Sequence, residues 1–497
     1  MLGVDIAAAL NLVGALVRTL SFAFLFPVAI AFGYGEPVWP FLAAGAVAGG
    51  FGLALEYVTY GAERVGAREG FLVIALLWVM VAAFGSLPYL FADEEQLDRP
   101  LDAYFESMSG FSATSATVLT NVEGLNQSLL MWRSFTAWIG GLGILVLGLA
   151  VLPRLHVGGR QLFELDAPGP ELEPLTVTIR ETARRFVILY VALTTLEVAV
   201  LAALGWTGVD EQMDLFEAVA HSFGTLATAG FSTENASVGA FGAATQWVIV
   251  AFMFFAGTNF ALMYRALLRR RAGAFARDDE FRLYVVLLVL GSALLIAELW
   301  SEGIARGEEA VRDGVFQTVS VMTTTGFASA DYNLWPFLAA VTIVALMFFG
   351  GSAGSTSGSL NVVRHVLVGR ILRRELEQTV HPELVSPVRL NGRVVEDRAL
   401  RGVTVFVLLY VGCFALGALG LMLDAARTDF GLTPFEAVAA AAATIGNVGP
   451  GFGVAGPLGS FAEYGEPSKL ILIVLMWLGR LEIIPVAVLL MRSYWRA

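Results

Sequence analysis

Long apolar stretches recur along the chain and set its overall pattern. Stretches of roughly 20 residues, long enough to cross a hydrocarbon layer of about 30 Å, lie near residues 12–32, 37–59, 70–91, 129–152, 184–206, 245–268, 282–300, 335–368, 400–423 and 468–491. In lipid only helices and closed barrels pair all of their backbone groups, and stretches of this length suit helices. The pattern therefore predicts an all-α integral membrane protein with ten spans.

Four short segments rich in Thr, Ser and Gly interrupt the apolar pattern. They read SGFSATSATVLT from Ser109, GTLATAGFSTEN from Gly224, SVMTTTGFASADYN from Ser320 and ATIGNVGPGFG from Ala443. Irregular backbone at membrane depth persists only where it lines a water-filled cavity or is buried in protein. Rings of backbone carbonyls that replace a hydration shell can select cations. The four segments therefore predict a cation-conducting membrane protein.

A fixed spacing relates these four segments to one another. An acidic residue stands 13 residues before a Ser or Gly in each: Asp102 before Ser115, Glu217 before Gly230, Asp313 before Gly326 and Glu436 before Gly449. We expect each acid to cap a short helix, because a carboxylate suits the free amides and the positive dipole end. The predicted unit is a span, a short re-entrant helix, a loop and a second span. Four such units occupy residues 66–155, 156–275, 276–375 and 376–497, after two N-terminal helices in residues 1–65.

The eighth apolar stretch contains ten consecutive small residues, from Gly350 to Ser359. Each glycine costs a helix about 1 kcal/mol relative to alanine, so this stretch is predicted to break. The freed backbone groups must then face a wet cavity or packed protein. The alternative is a kink that only lets neighbouring helices approach closely.

Charge placement predicts the orientation in the membrane. Basic residues cluster in alternate connections, at Arg64 and Arg68, at Arg154, Arg160, Arg180, Arg184 and Arg185, at Arg265, Arg269, Arg270, Arg271, Arg277 and Arg282, from Arg364 to Arg401, and at Arg492 and Arg496. The opposite connections are acidic, with Asp93, Glu94, Glu95 and Asp98, then Asp210, Glu211 and Asp214, then Glu302, Glu308 and Glu309. Basic loops remain cytoplasmic. Both termini are therefore expected inside, and all four polar loops enter from outside.

Composition agrees with a membrane protein and argues against several other classes. Hydrophobic residues make up 57% of the chain and charged residues 15%, against about 25% charged in soluble domains. The net charge of -12 argues against nucleic acid as a partner. A lone Cys413 and four scattered histidines (His156, His221, His365 and His381) give no enzyme signature. The last apolar stretch ends six residues before Ala497, so no attached nucleotide-binding domain is expected.

Five motifs, in order, resemble the Trk/Ktr/HKT superfamily of potassium transporters, and most closely its TrkH-type bacterial subunit. They are FSTENASVGAF from Phe231, TTTGFASADYNLWP from Thr323, GGSAGSTSG from Gly350, NVGPGFG from Asn447 and GRLEI from Gly479. The resemblance implies that one loop from each unit contributes to a potassium filter. Carried over by position, the filter residues are Ala113, Thr114, Ser115, Thr228, Ala229, Gly230, Thr324, Thr325, Gly326, Asn447, Val448 and Gly449.

The resemblance also implies a gate and partners. The gate is an intramembrane loop beneath the filter, formed by Gly350, Gly351, Gly354, Ser355, Thr356, Ser357 and Gly358. Arg480, inside the last span, is expected to act with it as a positive barrier; the alternative is a structural ion pair, for which Glu482 points the wrong way. The expected assembly is a homodimer in the plasma (inner) membrane of a bacterium or archaeon, with a cytosolic nucleotide-binding subunit of the TrkA type.

Two departures from the family pattern affect these expectations. Ser115 stands where potassium-selective members carry glycine, and a serine there accompanies sodium transport in the plant branch, so sodium is a second expected ion. Asn361 replaces a lysine that usually follows the gating loop. An alternating-access carrier coupled to protons or sodium remains the alternative function, although the repeats of such carriers usually invert. Glu197, alone in an apolar run, is interpreted as structural.

Overall fold

Helices form almost all of the ordered structure in a computed structural model of the chain, which describes residues 4–61, 66–150, 175–268 and 273–496. Seven of these helices are long and apolar enough to cross a membrane. Their bounds are Ile6–Tyr34, Trp39–Val58, Arg68–Phe91, Gln127–Val146, Glu181–Trp206, Asp279–Ser301 and Asp397–Thr428. The prediction of an all-α integral membrane protein is confirmed. Six of the arginines used to predict orientation lie outside the described residues, namely Arg64, Arg154, Arg160, Arg269, Arg270 and Arg271, and so does His156, one of the four scattered histidines.

The remaining three predicted spans are broken helices. In the sixth, Ala243–Ala256 and Phe260–Ala266 meet at 99°. The Asn259 side chain accepts the backbone N–H of Leu262 at 2.9 Å and so starts the second helix at this corner. The sequence analysis treated the sixth stretch as continuous, and that expectation is wrong.

The eighth and tenth stretches also consist of two helices separated by a non-helical segment. The eighth runs from Phe337–Leu346, through the small residues, to Val362–Val380, as the glycine content predicts. In the tenth, the helix Glu466–Arg480 ends, and a second helix, Ile484–Leu489, begins after residues 481–483. At this second break Glu482 and Ile483 both have positive φ, of 59° and 55°, which is costly for a β-branched residue. The expectation of a continuous tenth span is wrong, although Gly479 and Pro485, which flank the break, both disfavour a helix interior.

Four short helices precede the four polar segments, as the spacing predicts. Their bounds are Pro100–Phe111, Leu215–Ala227, Gly307–Met322 and Pro434–Ile445, and we number them short helices 1 to 4. Short helix 4 begins with a capping box, in which Thr433 and Glu436 satisfy each other's backbone N–H groups. Asp313 differs from the expected cap, because it lies near the middle of short helix 3 and accepts a hydrogen bond from Ser329 Oγ at 3.0 Å.

Within the described ranges, a two-stranded hairpin is the only β structure. Arg389–Leu390 pairs antiparallel with Arg393–Val394 across a turn at Asn391 and Gly392, both with positive φ. Such Asn-Gly turns match the twist of a hairpin. Asn391 also donates its backbone N–H to Asp279 Oδ2 at 2.9 Å. The hairpin is thereby fixed to the start of the helix Asp279–Ser301.

The only lysine of the chain joins short helix 1 to the last span. Lys469 Nζ lies 2.6 Å from Asp102 Oδ1, with side chains 5% and 13% exposed. Lys469→Met should destabilise the protein by about 3 kcal/mol, because it leaves Asp102 nearly buried without its partner. Thermal unfolding in detergent should show a lower midpoint than for Arg373→Met, which breaks the exposed pair with Glu377. Equal midpoints for the two variants would contradict the prediction.

Candidate cation filter and gate

Four loops follow the short helices and converge on one another. We number them loop 1 (residues 112–118), loop 2 (228–234), loop 3 (323–329) and loop 4 (446–452). Near the start of these loops lie the triplets 113–115, 228–230, 324–326 and 447–449, which are the twelve residues expected to form the filter. A Cβ at the third position of loops 2, 3 and 4 would come closer than 3.0 Å to a carbonyl of another loop: Gly230 to Thr325 O, Gly326 to Val448 O and Gly449 to Thr114 O. The contacts therefore run from loop 2 to 3, 3 to 4 and 4 to 1.

Ser115 closes this ring. Its Oγ accepts the backbone N–H of Gly230 at 3.0 Å, which joins loop 1 to loop 2. The same hydroxyl donates to Thr114 O at 2.6 Å and lies 3.4 Å from Thr325 O. The Ser115 hydroxyl thus lies inside the ring, among carbonyls of two loops, rather than on its outer surface.

The backbone of the triplets alternates in a way that suits carbonyl ligands. The first positions are all left-handed, with φ of 52° at Ala113, 51° at Thr228, 58° at Thr324 and 53° at Asn447, whereas the second positions, Thr114, Ala229, Thr325 and Val448, are not. At the third positions φ is again positive in three loops, with 60° at Ser115, 83° at Gly326 and 104° at Gly449. Alternating the sign of φ turns successive carbonyls toward the same side, as a carbonyl cage needs.

Gly230 is the exception among the third positions. It lacks positive φ, so its backbone conformation does not require glycine. Glycine is needed there for space, since a Cβ would come within 2.5 Å of Thr325 O. Ser115, conversely, adopts the left-handed conformation despite its side chain, at a cost that glycine would not carry.

Hydrogen bonds also join the outer parts of neighbouring loops and their continuations. Val122 N donates to Asn235 Oδ1 (2.7 Å), Gly239 N to Ala328 O (3.0 Å), Gly453 N to Asn333 Oδ1 (2.9 Å) and Phe461 N to Thr117 O (2.8 Å). An open cavity of about 600 Å³ lies on this side, with Ser115, Gly230 and Gly326 among its lining residues. Burial and the neighbouring carboxylates of Glu217 and Glu123 raise the pKa of Glu234, which also lines this cavity. We call this cavity the vestibule.

The break in the eighth stretch lies directly against loop 3. Gly358 N donates to Thr324 Oγ1 at 2.8 Å, and Thr356 Oγ1 donates to Ala256 O at 3.2 Å. Small residues are required here: a Cβ on Gly350 would come 2.7 Å from Gly358 O, and one on Gly351 would come 2.7 Å from Gly257 O. The other residues of the predicted gate are held locally, by Phe260 N donating to Gly354 O (3.1 Å) and by the paired hydroxyls of Ser355 and Ser357 (2.6 Å).

Glu280 joins the gating segment to the first turn of the helix that follows it, Val362–Val380. Its Oε1 accepts the backbone N–H of Ala353 at 2.6 Å and that of Val363 at 3.0 Å. Glu280 follows Asp279, the residue that binds the hairpin. The gating segment and the hairpin are therefore attached to one helix end, a link that the sequence pattern did not reveal.

Arg480 binds the gating segment through backbone oxygen atoms. Its Nη1 donates to Thr356 O at 2.9 Å and its Nη2 donates to Gly140 O at 3.2 Å, with the side chain 2% exposed. Glu482 is occupied elsewhere, in an ion pair with Arg364 at 2.8 Å. The expectation that Glu482 is not the partner of Arg480 agrees with this geometry. Glu197 is fully buried, with Thr225 of short helix 2 beside its carboxyl group.

Comparison with known proteins gives a consistent assignment. Residues 41–496 match the profile of the family TrkH, described as "Cation transport protein". The chain is 36% identical to the Trk system potassium uptake protein TrkH of Escherichia coli over 433 residues, 86% of each chain. It is 35% identical to the protein of the same name from Halomonas elongata, over 98% of each chain.

A solved structure extends the similarity to three dimensions. The crystal structure of the potassium transporter TrkH from Vibrio parahaemolyticus superposes with a TM-score of 0.88 at 32% identity, covering 99% of this chain and 100% of that one. These relatives are transport proteins rather than enzymes. With its multiple apolar helices, the chain is a multi-pass membrane protein and belongs to the TrkH family of cation transport proteins.

Proposed function

We propose that this protein takes up potassium through a channel-like pore. The ring of four loops is its selectivity filter, and the segment from Gly350 to Ser359 is its gate. The observation that carries the proposal is the closed ring itself, with alternating φ in three of its loops. The names of the relatives, potassium uptake proteins, support potassium as the ion.

The gate is proposed from its contacts on two sides. The Gly358 amide binds a threonine of loop 3, so the segment meets the filter directly. The Arg480 guanidinium holds the Thr356 carbonyl on the other side. A guanidinium in a low-dielectric passage repels cations, so the bound state of this segment is the closed one. Displacing both groups together would open the passage.

An alternating-access carrier is the second candidate function. Broken helices near a central site are typical of carriers, and three of the spans here are broken. The closed contacts among all four loops favour a fixed filter instead, because a carrier must separate its two halves around the site. Flux that follows the potassium gradient without a pH or sodium gradient supports the pore.

We base the proposed assembly on the names of the relatives and on the distribution of basic residues along the chain. A homodimer in the inner membrane, both termini cytoplasmic, and a TrkA-type nucleotide-binding partner are consistent with the Trk system names of the relatives. The Arg-rich connections support cytoplasmic termini. The division into two N-terminal helices (1–65) and four units (66–155, 156–275, 276–375 and 376–497) accounts for the four helix–loop pairs.

Ion flux into proteoliposomes tests the proposed function. Purified protein is reconstituted, and uptake is measured for potassium, rubidium, sodium and lithium under equal gradients. We expect uptake of potassium and rubidium to exceed that of sodium and lithium, without any proton gradient. If uptake requires a pH or sodium gradient, the protein is a carrier and not a pore. A complete absence of potassium uptake would overturn the proposal.

Ser115 is expected to weaken the discrimination against sodium. Its hydroxyl lies among the ring carbonyls, where it supplies a ligand that suits a smaller, more strongly hydrated ion. Ser115→Gly should therefore raise the potassium-to-sodium permeability ratio, by about fivefold if one hydrogen-bonding ligand is lost. Reversal potentials under identical gradients measure the ratio, with Ser301→Gly as a control at an exposed serine outside the four loops. Identical ratios in wild type and Ser115→Gly would show that the other loops set selectivity alone.

A further inference from the structure

Loops 1 and 2 are joined behind the filter by a buried ion pair that the sequence analysis did not predict. Arg133 Nε lies 2.8 Å from Glu106 Oε1, with side chains 2% and 0% exposed. Glu106 belongs to short helix 1, and Arg133 belongs to the helix Gln127–Ala150. Neither residue is in a filter triplet, yet each binds the chain immediately after one.

Glu106 holds loop 1. Its carboxylate accepts the hydroxyl of Thr117 at 3.0 Å and the backbone N–H of Val118 at 3.1 Å. These two residues follow Ser115 by two and three positions. The carboxylate thereby fixes the direction in which loop 1 leaves the ring.

Arg133 holds loop 2. Its Nη1 donates to Ser232 O at 3.2 Å, and its guanidinium carbon lies 4.2 Å from the centre of the Phe231 ring. Its Nη2 also lies 3.4 Å from Thr117 Oγ1 in loop 1. One side chain therefore sets the distance between two loops, and it lines the vestibule through which a cation would approach.

At the same helix position the other three short helices carry a histidine, a glutamine and an alanine. Residue 106 lies four residues after Asp102, and the corresponding residues are His221, Gln317 and Ala440. His221 Nε2 lies 2.9 Å from Ser232 Oγ, Gln317 Nε2 donates to Phe327 O at 3.3 Å, and loop 4 packs on Ala440 itself, 3.3 Å from a Cβ built on Gly451. Among these four positions only 106 carries a carboxylate, and that carboxylate pairs with an arginine. In short helices 2 and 3 the carboxylates of Glu217 and Asp313, one turn earlier, bind the later loop residues Thr233 and Ser329.

Stability does not account for an ion pair at this place. Taking two charges out of water costs about as much as their attraction returns, and an apolar pair of similar size is often at least as stable. The pair instead fixes the geometry of the two loops. The Glu106 carboxylate accepts hydrogen bonds from three donors, and the Arg133 guanidinium bonds to both loops. It also supplies charge balance, because an uncompensated Arg133 would place a positive charge beside the entry path.

We propose that Glu106 and Arg133 are positioning residues that set the spacing of loops 1 and 2, and so the potassium-to-sodium discrimination of the filter. The proposal rests on the proposed function. It assigns the pair two separable effects: its hydrogen bonds determine selectivity, and its neutrality as a unit determines the rate of cation entry.

Three variants separate these effects in reconstituted protein. Glu106→Gln keeps the shape of the side chain, but its amide N–H₂ faces groups that donate hydrogen bonds to the carboxylate. It also leaves the positive charge of Arg133 without a counter-charge. We expect its potassium flux to fall about tenfold and its potassium-to-sodium flux ratio to fall about fivefold. Arg133→Met should lower the ratio similarly. The double variant should recover most of the potassium flux, because charge balance returns, while its ratio remains low.

The pair Asp102–Lys469 provides the matched control. It also joins short helix 1 to a span and is nearly buried, but it binds no filter loop. Asp102→Asn should lower the thermal midpoint and leave the flux ratio of the folded fraction at the wild-type value. A ratio that falls equally in Asp102→Asn would show that any loss of stability disturbs the filter, and would overturn the proposal.

Thr117→Val keeps the test decisive if the charge variants fail to fold. It removes only the hydroxyl that donates to Glu106 and accepts from Leu119 N and Arg133 Nη2. It should lower the flux ratio about threefold, with a smaller loss of thermal midpoint than either charge variant. A wild-type ratio in Thr117→Val, or in folded Glu106→Gln, would overturn the positioning role. Absence of potassium flux in the wild-type protein would instead refute the proposed function, so the two failures are distinguishable.

Discussion

Arg480→Gln should raise potassium flux about tenfold in reconstituted protein, because it removes a buried positive charge from the passage beneath the ring. Arg480 is 2% exposed and binds only carbonyl oxygens among the described residues, at Thr356 and Gly140. Two like charges at such depth repel each other by several kcal/mol even at an effective dielectric constant of about 20. The shortened side chain also releases the gating segment.

Arg492→Gln is the control for Arg480→Gln, because it removes an exposed arginine near the same end of the chain. Rubidium uptake and a thermal melt are measured for both variants. Unaltered flux in a folded Arg480→Gln protein would make the guanidinium a structural group that only fastens two helices together.

Deleting residues 353–357 should also raise flux about tenfold, the gain expected if the intact gate is open about a tenth of the time. The deletion removes the Thr356 carbonyl that Arg480 binds and one of the two amides held by Glu280. It should further abolish the control of flux that we propose for a nucleotide-binding partner, because the proposed gate is gone.

Uptake with and without that partner, at saturating nucleotide, measures both effects. Ser357→Ala is the matched control, since it keeps the length of the segment and loses only the hydroxyl paired with Ser355. Lower flux in a folded deletion variant, or control by the partner that persists, would count against a gate in this segment.

The sequence predicted the fold well because its determinants are local. Hydrophobic length indicates spans, and glycine content indicated the break after Gly350. The break at Ile483 escaped prediction although Gly479 and Pro485 flank it, because single glycines and prolines are tolerated within membrane-spanning helices. The positive φ of Ile483 occurs beside Glu482, which forms an ion pair with Arg364.

The candidate site was predictable in its members but not in its supports. The twelve filter positions follow from spacing and resemblance. The pairing of Glu106 with Arg133 crosses 27 positions and leaves no periodic signal. The available indication was Glu106 itself, a second acidic residue in short helix 1, four positions after Asp102. Gly230 shows the converse limit, because glycine there serves close packing rather than a left-handed turn.

The helix Gln127–Ala150 is continuous, whereas the sixth, eighth and tenth stretches are each broken. At Gly140, where a Cβ would collide with the Phe111 carbonyl, the continuous helix packs directly on the end of short helix 1. The proposed passage beneath the ring would therefore be bordered by three broken helices and one continuous helix, and Arg480 is hydrogen-bonded to the continuous one. Opening of the proposed passage would displace the broken helices and leave the continuous helix in place, so the widening would be asymmetric.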